Sequence, residues 1–457
     1  MVLARVLLIM PRLPQRLGSP YLGQLYVAAS LLRDGHEVRC IDCSAPYWRG
    51  GDDRVVSIAE AYEPDLIGMT LFTYNAARGY RLAKRLRGLT RFLLAGGPHP
   101  TVMPGEPLDH GFDLSLAGEG ELAIQRIARF CDGKESLSSI PGLSTHDSKG
   151  VPPQSIANLD ALPYPHEAYK SFDLESYSPT NGAVIPGGIM TSRGCPARCT
   201  FCANYVTGRV YRYRSSQDIV EEMRHLRHRY GISTFPFWDD AFTALRPRLR
   251  ELCDAIEAES DLDGITWSCI TPGNMIKPQD LDRMREAGCV SVNFGIESGD
   301  PRILKAIQKG QRPDDIRDAV RSAKAAGMMT VVNFMFGFPE EGTDELKQTL
   351  DFMVELSEMT DYFNTRGVLV PFPGTGIYDR WADTYELRDW WLDLNNVPIE
   401  PDFTNPDDLL DYQETDPTLA LDFFRYNDAV RESVETCVRF KAQHNRRTIK
   451  RLQQGLR

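Results

Sequence analysis

The chain has 457 residues, of which 42% are hydrophobic and 25% charged, more than one ordinary core holds and the profile of two or three folded domains. A net charge of -11, with no extended basic block before the last residues, argues against a nucleic-acid partner, and no stretch approaches the ~20 apolar residues of a membrane span. The first apolar run, VLLIM, stops at Pro11 and does not resemble a signal peptide, so the ten cysteines are expected in a reducing, cytoplasmic setting as thiols or metal ligands.

Residues 1–135 alternate between strands and helices. RVLLIM (5–10), EVRCID (37–42), LIGMTLF (66–72), RFLLAGG (91–97) and LSLAG (114–118) read as strands, and 21–34, 75–87 and 121–131 as helices. Such alternation predicts an α/β, doubly wound, Rossmann- or flavodoxin-like domain, which binds ligands beyond the carboxyl ends of its strands. The loops at that end carry Gly96-Gly97-Pro98-His99 and Gly118-Glu119-Gly120-Glu121. Residues 136–180, with many Pro, Ser and Asp and little periodicity, read as a linker.

From 181 to 383 the alternation resumes. AVIPGGIMTS (183–192) reads as a strand, and the helix over 216–230 sets Ile219, Met223, Leu226 and Tyr230 on one stripe. TFPFWDD, ITWSCI, VSVNFGIE, TVVNFMFG and FNTRGVLV supply five more strands with amphipathic helices between them. Six strand–helix units fall short of a closed barrel's eight and predict a partial (β/α)6 barrel. Residues 384–457 read as a mainly helical segment covering the barrel's open side, with an acidic loop over 400–417 and Tyr378, Trp390 and Trp391 as packing residues.

Seven cysteines (Cys40, Cys43, Cys131, Cys253, Cys269, Cys289 and Cys437) sit among apolar residues and read as small buried hydrophobes. The other three are Cys195, Cys199 and Cys202 in RGCPARCTFC, a C-x3-C-x2-C spacing that lets one loop wrap an iron–sulfur cluster. With no fourth cysteine nearby, one iron of a four-iron cubane keeps an open position, the mark of a reactive metal centre. Zinc requires a fourth Cys or His close by, and His225 and His228 lie beyond the loop on the next helix.

RGCPARCTFC resembles the cluster motif of the radical S-adenosylmethionine (SAM) superfamily, and the likeness continues through the barrel. The resemblance implies that SAM chelates the open iron of a [4Fe–4S] cluster and is cleaved to methionine and a 5′-deoxyadenosyl radical. It further implies Phe201 beside the adenine, Asp239 and Asp240 at the methionine amino group, and Glu297 at the ribose hydroxyls. Gly337, Phe338 and Pro339, with Val370 and Pro371 ahead of Phe372, match segments lining the adenine. Strand-end carboxylates accept hydrogen bonds from an ammonium or a diol, although helix N-caps are the alternative reading for Asp239 and Glu297.

The doubly wound domain ahead of such a barrel resembles the cobalamin-binding subfamily, the class B methyltransferases among it. PDLIGMTLFTYNAARGYRLAKRL and FLLAGGPHPTVMPGE, followed by the GEGE turn, carry that likeness. By it Thr70, Phe72, Gly96, Gly97, His99 and Glu119 contact the corrinoid and its nucleotide tail, where glycine allows close backbone approach. The first strand–helix loop, PRLPQRLGSPYLG, has no histidine for the cobalt, and Asp34-Gly35-His36 reads as a turn at the opposite end of the sheet. A methylthiotransferase does not fit, because the amino-terminal domain lacks a second three-cysteine set.

The combination implies methylation of an unactivated carbon of a small-molecule, natural-product-type substrate. The deoxyadenosyl radical removes a substrate hydrogen, methylcobalamin supplies the methyl group, and two SAM are used per methyl. An electron donor such as a flavodoxin or ferredoxin is implied. The alternatives are radical rearrangement, cyclisation or oxidation without methyl transfer, and a non-catalytic corrinoid- or cluster-binding sensor.

Overall fold

The computed structural model describes residues 4–131, 133, 135–148, 150–177, 188–364, 368–401, 408, 412 and 421–453. Parts of the 183–192 and 363–370 strand readings and most of the acidic loop over 400–417 lie outside these residues.

The amino-terminal sheet is built from β1 (Arg5–Met10), β2 (Glu37–Asp42), β3 (Leu66–Thr70), β4 (Phe92–Gly96) and β5 (Leu114–Leu116). They pair in parallel in the order β2-β1-β3-β4-β5, and β6 (Leu143–Ser144) adds an antiparallel edge. Their inner positions are aliphatic and buried on both faces, as a parallel sheet covered by helices requires. The chain crosses over through α1 (Leu22–Arg33), α2 (Gly51–Tyr62), α3 (Ala76–Leu86) and α6 (Glu121–Cys131), with the short helices α4 (Pro98–Val102) and α5 (Glu106–Asp109) after β4. Helix α2 was not anticipated. Only Val55 and Ala59 of it are buried, too sparse a stripe to stand out, yet a parallel crossover from β2 requires an element there. Strand order reverses between β1 and β3, which opens a crevice at their carboxyl ends.

Residues 136–177 are not a free linker. They carry several short 3-10 turns; Ile156, Leu159, Leu162, Tyr169 and Phe172 are buried, and the turn Pro165–Ser171 packs on α1. The Tyr177 hydroxyl donates to Asp42 Oδ2 at 2.7 Å, tying the segment to the end of β2.

The second domain carries β9 (Thr234–Pro236), β10 (Thr266–Pro272), β11 (Cys289–Glu297), β12 (Met329–Phe334) and β13 (Tyr362–Phe363), all parallel and in sequence order. Ile189 bridges to Phe237 in parallel and contributes the first of six barrel positions. The short strands β7 (Ser192–Arg193) and β8 (Arg212–Tyr213) pair antiparallel and clamp the two ends of the cysteine loop. Helices α7 (Ser216–Tyr230), α8 (Arg246–Ala258), α9 (Pro278–Glu286), α10 (Pro301–Ala306), α11 (Pro313–Ala325) and α12 (Thr343–Leu356) separate the strands. Phe235, Phe237, Phe242 and Trp267 fill the barrel wall at the β9–β10 side.

The open edge at β13 is covered by the long helix Asp428–Gln453. Its Asn445 accepts from the Phe363 amide at 2.8 Å and donates to the Phe363 carbonyl at 2.6 Å, replacing a missing strand neighbour. Trp390 and Trp391 are buried and bond to the Pro371 carbonyl and to Glu106, so both are packing residues between the domains. No helix among the described residues is long and apolar enough to cross a membrane.

Candidate active site between the two domains

The cysteine loop leaves β7 at Arg193 and returns at β8. Gly194 has φ +88, and a Cβ there would lie 2.3 Å from the Val210 carbonyl oxygen, so only glycine lets the chain turn into the loop. The loop is anchored through its backbone: Cys195 N donates to Gly208 O, Cys202 N to Cys199 O, and Thr200 N to Ile307 O. Cys195 and Cys199 are half-buried and Cys202 is exposed, whereas the other seven cysteines are buried. Burial pushes the Cys195 and Cys199 thiols up, so a bound cation is needed to hold them as thiolates. Among the described residues no three His, Cys, Asp or Glu side chains meet closely enough to share a single metal ion.

Around the loop the expected SAM residues gather unequally. The Phe201 and Phe338 rings pack edge to face with centroids 6.1 Å apart. Gly337 has φ +77, its carbonyl takes the Tyr426 hydroxyl, and its amide donates to Glu341 at 2.6 Å. Burial pushes the Glu341 carboxyl up to about 8. Pro339 is half-buried, whereas Val370 and Pro371 are buried, the latter fixed by Trp390. Glu297 ends β11 with φ +74, a conformation a β-carbon disfavours, at a register shift against β12. Its carboxylate meets Lys309 Nζ at 2.7 Å, and Lys309 also lies 5.7 Å from the Phe201 ring centroid. Burial works against the charge on Lys309, but Glu297 holds its pKa above the ordinary value. Lys309 was missed because it follows α10 in no recognisable motif.

The adjacent carboxylates Asp239 and Asp240 part company. Asp239 is buried and accepts from both the amides and the hydroxyls of Thr191 and Ser192, three of these at 2.7, 3.1 and 2.7 Å. It staples the first barrel position to the second and has no capacity left for a SAM ammonium, which corrects the expectation for it. Asp240 faces a cavity and accepts from Asn204 and Thr207, at 3.2 and 3.0 Å, and from the Gly194 amide.

That cavity, about 800 Å³, lies between the domains. The barrel contributes Cys202, Asn204, Asp240 and the half-exposed Trp238; the sheet end contributes Thr70, Gly96, Gly97 and Gly118. Gly97 has φ +102 and packs on the Leu71 backbone, and the missing Cβ of Gly96 would enter open space. A glycine-floored cleft of this kind fits a broad, flat ligand such as a corrinoid. Phe72 is not in the wall but packs edge to face on Tyr21, which is.

His99 is a correction. It is fully buried, with Nδ1 at 3.2 Å from Thr73 Oγ1 and Nε2 at 3.1 Å from Glu106, which also takes Tyr80 and Trp391. His99 therefore supports the loop from behind instead of facing the cleft. The Asp34-Gly35-His36 segment is the turn from α1 to β2, away from the cleft.

Glu119 reaches the cavity wall but is already held. Arg193 Nη1 and Arg212 Nη1 bond its two oxygens at 2.9 and 2.8 Å, Ile156 N donates at 2.6 Å, and Arg193 Nη2 bonds Glu121 at 2.6 Å. Burial raises the Glu119 carboxyl, but Arg212 and Arg193 outweigh it and hold it below its ordinary value. These four side chains clasp the amino-terminal domain to the root of the cysteine loop.

Residues 189–353 match the Radical SAM superfamily and residues 19–128 the B12 binding domain. A protein of Pyrococcus horikoshii described as an uncharacterized methyltransferase is 33% identical over 79% of this chain and 78% of its own length. The cytidylyl-2-hydroxyethylphosphonate methyltransferase of Streptomyces wedmorensis is 29% identical over 73% of each chain. In fold, the chain is similar to the radical S-adenosylmethionine methyltransferase TsrM from Kitasatospora setae, solved with cobalamin and a [4Fe–4S] cluster. The TM-score is 0.67 at 20% identity, covering 84% of this chain and 75% of that one. With both domains matched in this order and that degree of identity to the Pyrococcus protein, the chain is an enzyme of the cobalamin-binding radical SAM methyltransferase family.

Proposed function

We propose that the enzyme transfers a methyl group to an unactivated carbon of a small-molecule, natural-product-type substrate. One observation carries this reading: the cysteine loop and the glycine-floored end of the sheet open onto the same cavity. When bound, the cluster supplies the electron that cleaves SAM and the corrinoid supplies the methyl group.

The chain's own residues then have distinct tasks. Cys195, Cys199 and Cys202 hold the cluster. Asp240 accepts from the methionine ammonium of SAM, and Glu297, released in part from Lys309, accepts from the ribose hydroxyls. Phe201, Phe338 and the Gly337–Pro339 and Val370–Pro371 segments line the adenine. Thr70, Gly96, Gly97 and Gly118 let the corrinoid approach the backbone. The volume left between the two faces takes the substrate, and Trp238 gives it an aromatic wall. Two facing surfaces solve an orientation problem that one domain alone cannot, and burial between them keeps water from a radical.

A one-electron carrier of the flavodoxin or ferredoxin type, in the cytoplasm, completes the scheme. All ten cysteines are unbridged, which suits such a reducing setting.

The test is anaerobic turnover of the reconstituted enzyme with hydroxocobalamin, SAM and candidate substrates. A product one CH2 heavier, with two SAM consumed per product, is the expected result. A product of unchanged mass moves the assignment to rearrangement or cyclisation.

A further inference from the structure

One arm of the cavity is lined by the amino-terminal domain alone, by residues of the sheet and of helices α1 and α6. Its lining includes Leu8, Leu94, Leu116 and Ile124, with Gly68 beside Leu8. A single amide interrupts this lining. Gln24, on α1, lines the cavity at 2% exposure, and neither its Nε2 nor its Oε1 has a hydrogen-bond partner among the described residues. Buried amides are normally satisfied, and one left open on both atoms at a cavity wall is placed to bond a polar group that enters the cavity.

We infer that Gln24 reads the lower nucleotide of the corrinoid, an inference that rests on the cobalamin reading above. The arm lies on the amino-terminal domain, so its occupant belongs to the ligand of that domain and not to SAM. Its aliphatic walls suit a flat aromatic base, whereas the rim of the corrin ring bears polar amide chains that such walls would strand. A primary amide offers two donors and an acceptor, the complement of a ribose hydroxyl or a base ring nitrogen. Of the groups in cobalamin, only the nucleotide combines an aromatic face with those partners. Gln24 is thus a specificity residue: it favours corrinoids that carry a nucleotide over those that do not.

The full-length protein is titrated anaerobically with hydroxocobalamin and, separately, with cobinamide, which has the corrin ring but no nucleotide. Binding is followed by absorbance and by quenching of tryptophan fluorescence. Wild-type protein is expected to bind hydroxocobalamin at least tenfold more tightly than cobinamide. Gln24→Met, close to isosteric, is expected to weaken hydroxocobalamin about tenfold and cobinamide less than twofold. Equal wild-type affinity for the two ligands overturns the inference without any variant, as does a Gln24→Met change that is absent or the same for both. Failure of the wild type to bind either ligand removes the cobalamin reading itself, whereas binding of both with equal strength leaves that reading standing and removes only the role of Gln24.

Discussion

Replacing Arg193 by Met removes the centre of the clasp between the domains. Its guanidinium spans Glu119 at 2.9 Å and Glu121 at 2.6 Å, and its Cζ lies 5.0 Å from the Tyr26 ring centroid. All three charged side chains are at most 6% exposed, so water cannot take over the lost contacts. Glu119 keeps Arg212 and the Ile156 amide, but Glu121 is left as a buried carboxylate without its cation. Breaking a buried pair from one side costs about 3–5 kcal/mol. If all 457 residues melt together, with an unfolding entropy of about 2.1 cal/mol/K per residue, this lowers Tm by about 3–5 °C. If the amino-terminal domain separates and melts alone, the same loss spread over its smaller entropy lowers its Tm by roughly 10–20 °C. Differential scanning calorimetry of the full-length chain distinguishes the two. The Arg193→Lys variant should recover only part of the loss, because an ammonium cannot fork between two carboxylates. The pH dependence has a definite sign. Glu119 is held below its ordinary value of 4.5, so its stabilisation is complete above that pH and fades as the pH falls through the lower folded value. The gap between wild type and Arg193→Met should therefore narrow in acid. An Arg193→Met protein that melts within about 1 °C of wild type at pH 7 refutes the clasp.

Two further outcomes follow from the site. Substituting Ala for Cys195, Cys199 or Cys202 should reduce reconstituted iron from about four per chain to near none and abolish reductive SAM cleavage, while Cys253→Ala keeps both; iron analysis and 5′-deoxyadenosine release read this out. Asp240→Asn should weaken SAM binding about tenfold with the melting temperature unchanged, whereas Asp239→Asn should lower Tm because an amide cannot accept from four donors; equal effects of the two on SAM affinity and Tm would erase the distinction.

The contrast between Asp239 and Asp240 shows what was legible and what was not. The doubly wound sheet and the barrel follow from local periodicity, and their strands stand where buried aliphatic runs place them. Successive residues at a strand end point to opposite sides, so two neighbouring carboxylates cannot both face one ligand. That alternation was available from FWDD, but which of the two faces the cavity depends on Thr191 and Ser192, 47–48 positions away. His99 was read as a ligand from its glycine-rich neighbourhood. What turns it inward is Glu106, itself fixed by Trp391 285 positions away, and no local pattern reports such a contact. The packing of 136–177 was missed for a related reason: its buried side chains are spaced by 3-10 turns and prolines and follow neither the helical nor the strand period.

Glu119 and Glu121 carry the same lesson towards function. Two residues apart on a glycine-bearing turn, they present their carboxylates together, and the arginine that joins them stands two positions before Cys195. The clasp therefore ends at the cysteine loop itself. A shift of the amino-terminal domain on the barrel would move the glycine-floored face and the cysteine loop relative to each other across the substrate space. Methyl transfer to a carbon radical depends on that separation, since misplacement by about 1 Å costs on the order of a hundredfold in rate. Glu119, which the family resemblance assigns to corrinoid contact, is in this geometry part of what holds the glycine-floored face against the cysteine loop. Loss of the clasp should consequently leave SAM cleavage largely intact while lowering the yield of methylated product per SAM cleaved, an uncoupling that loss of a cluster cysteine, which abolishes cleavage itself, would not produce.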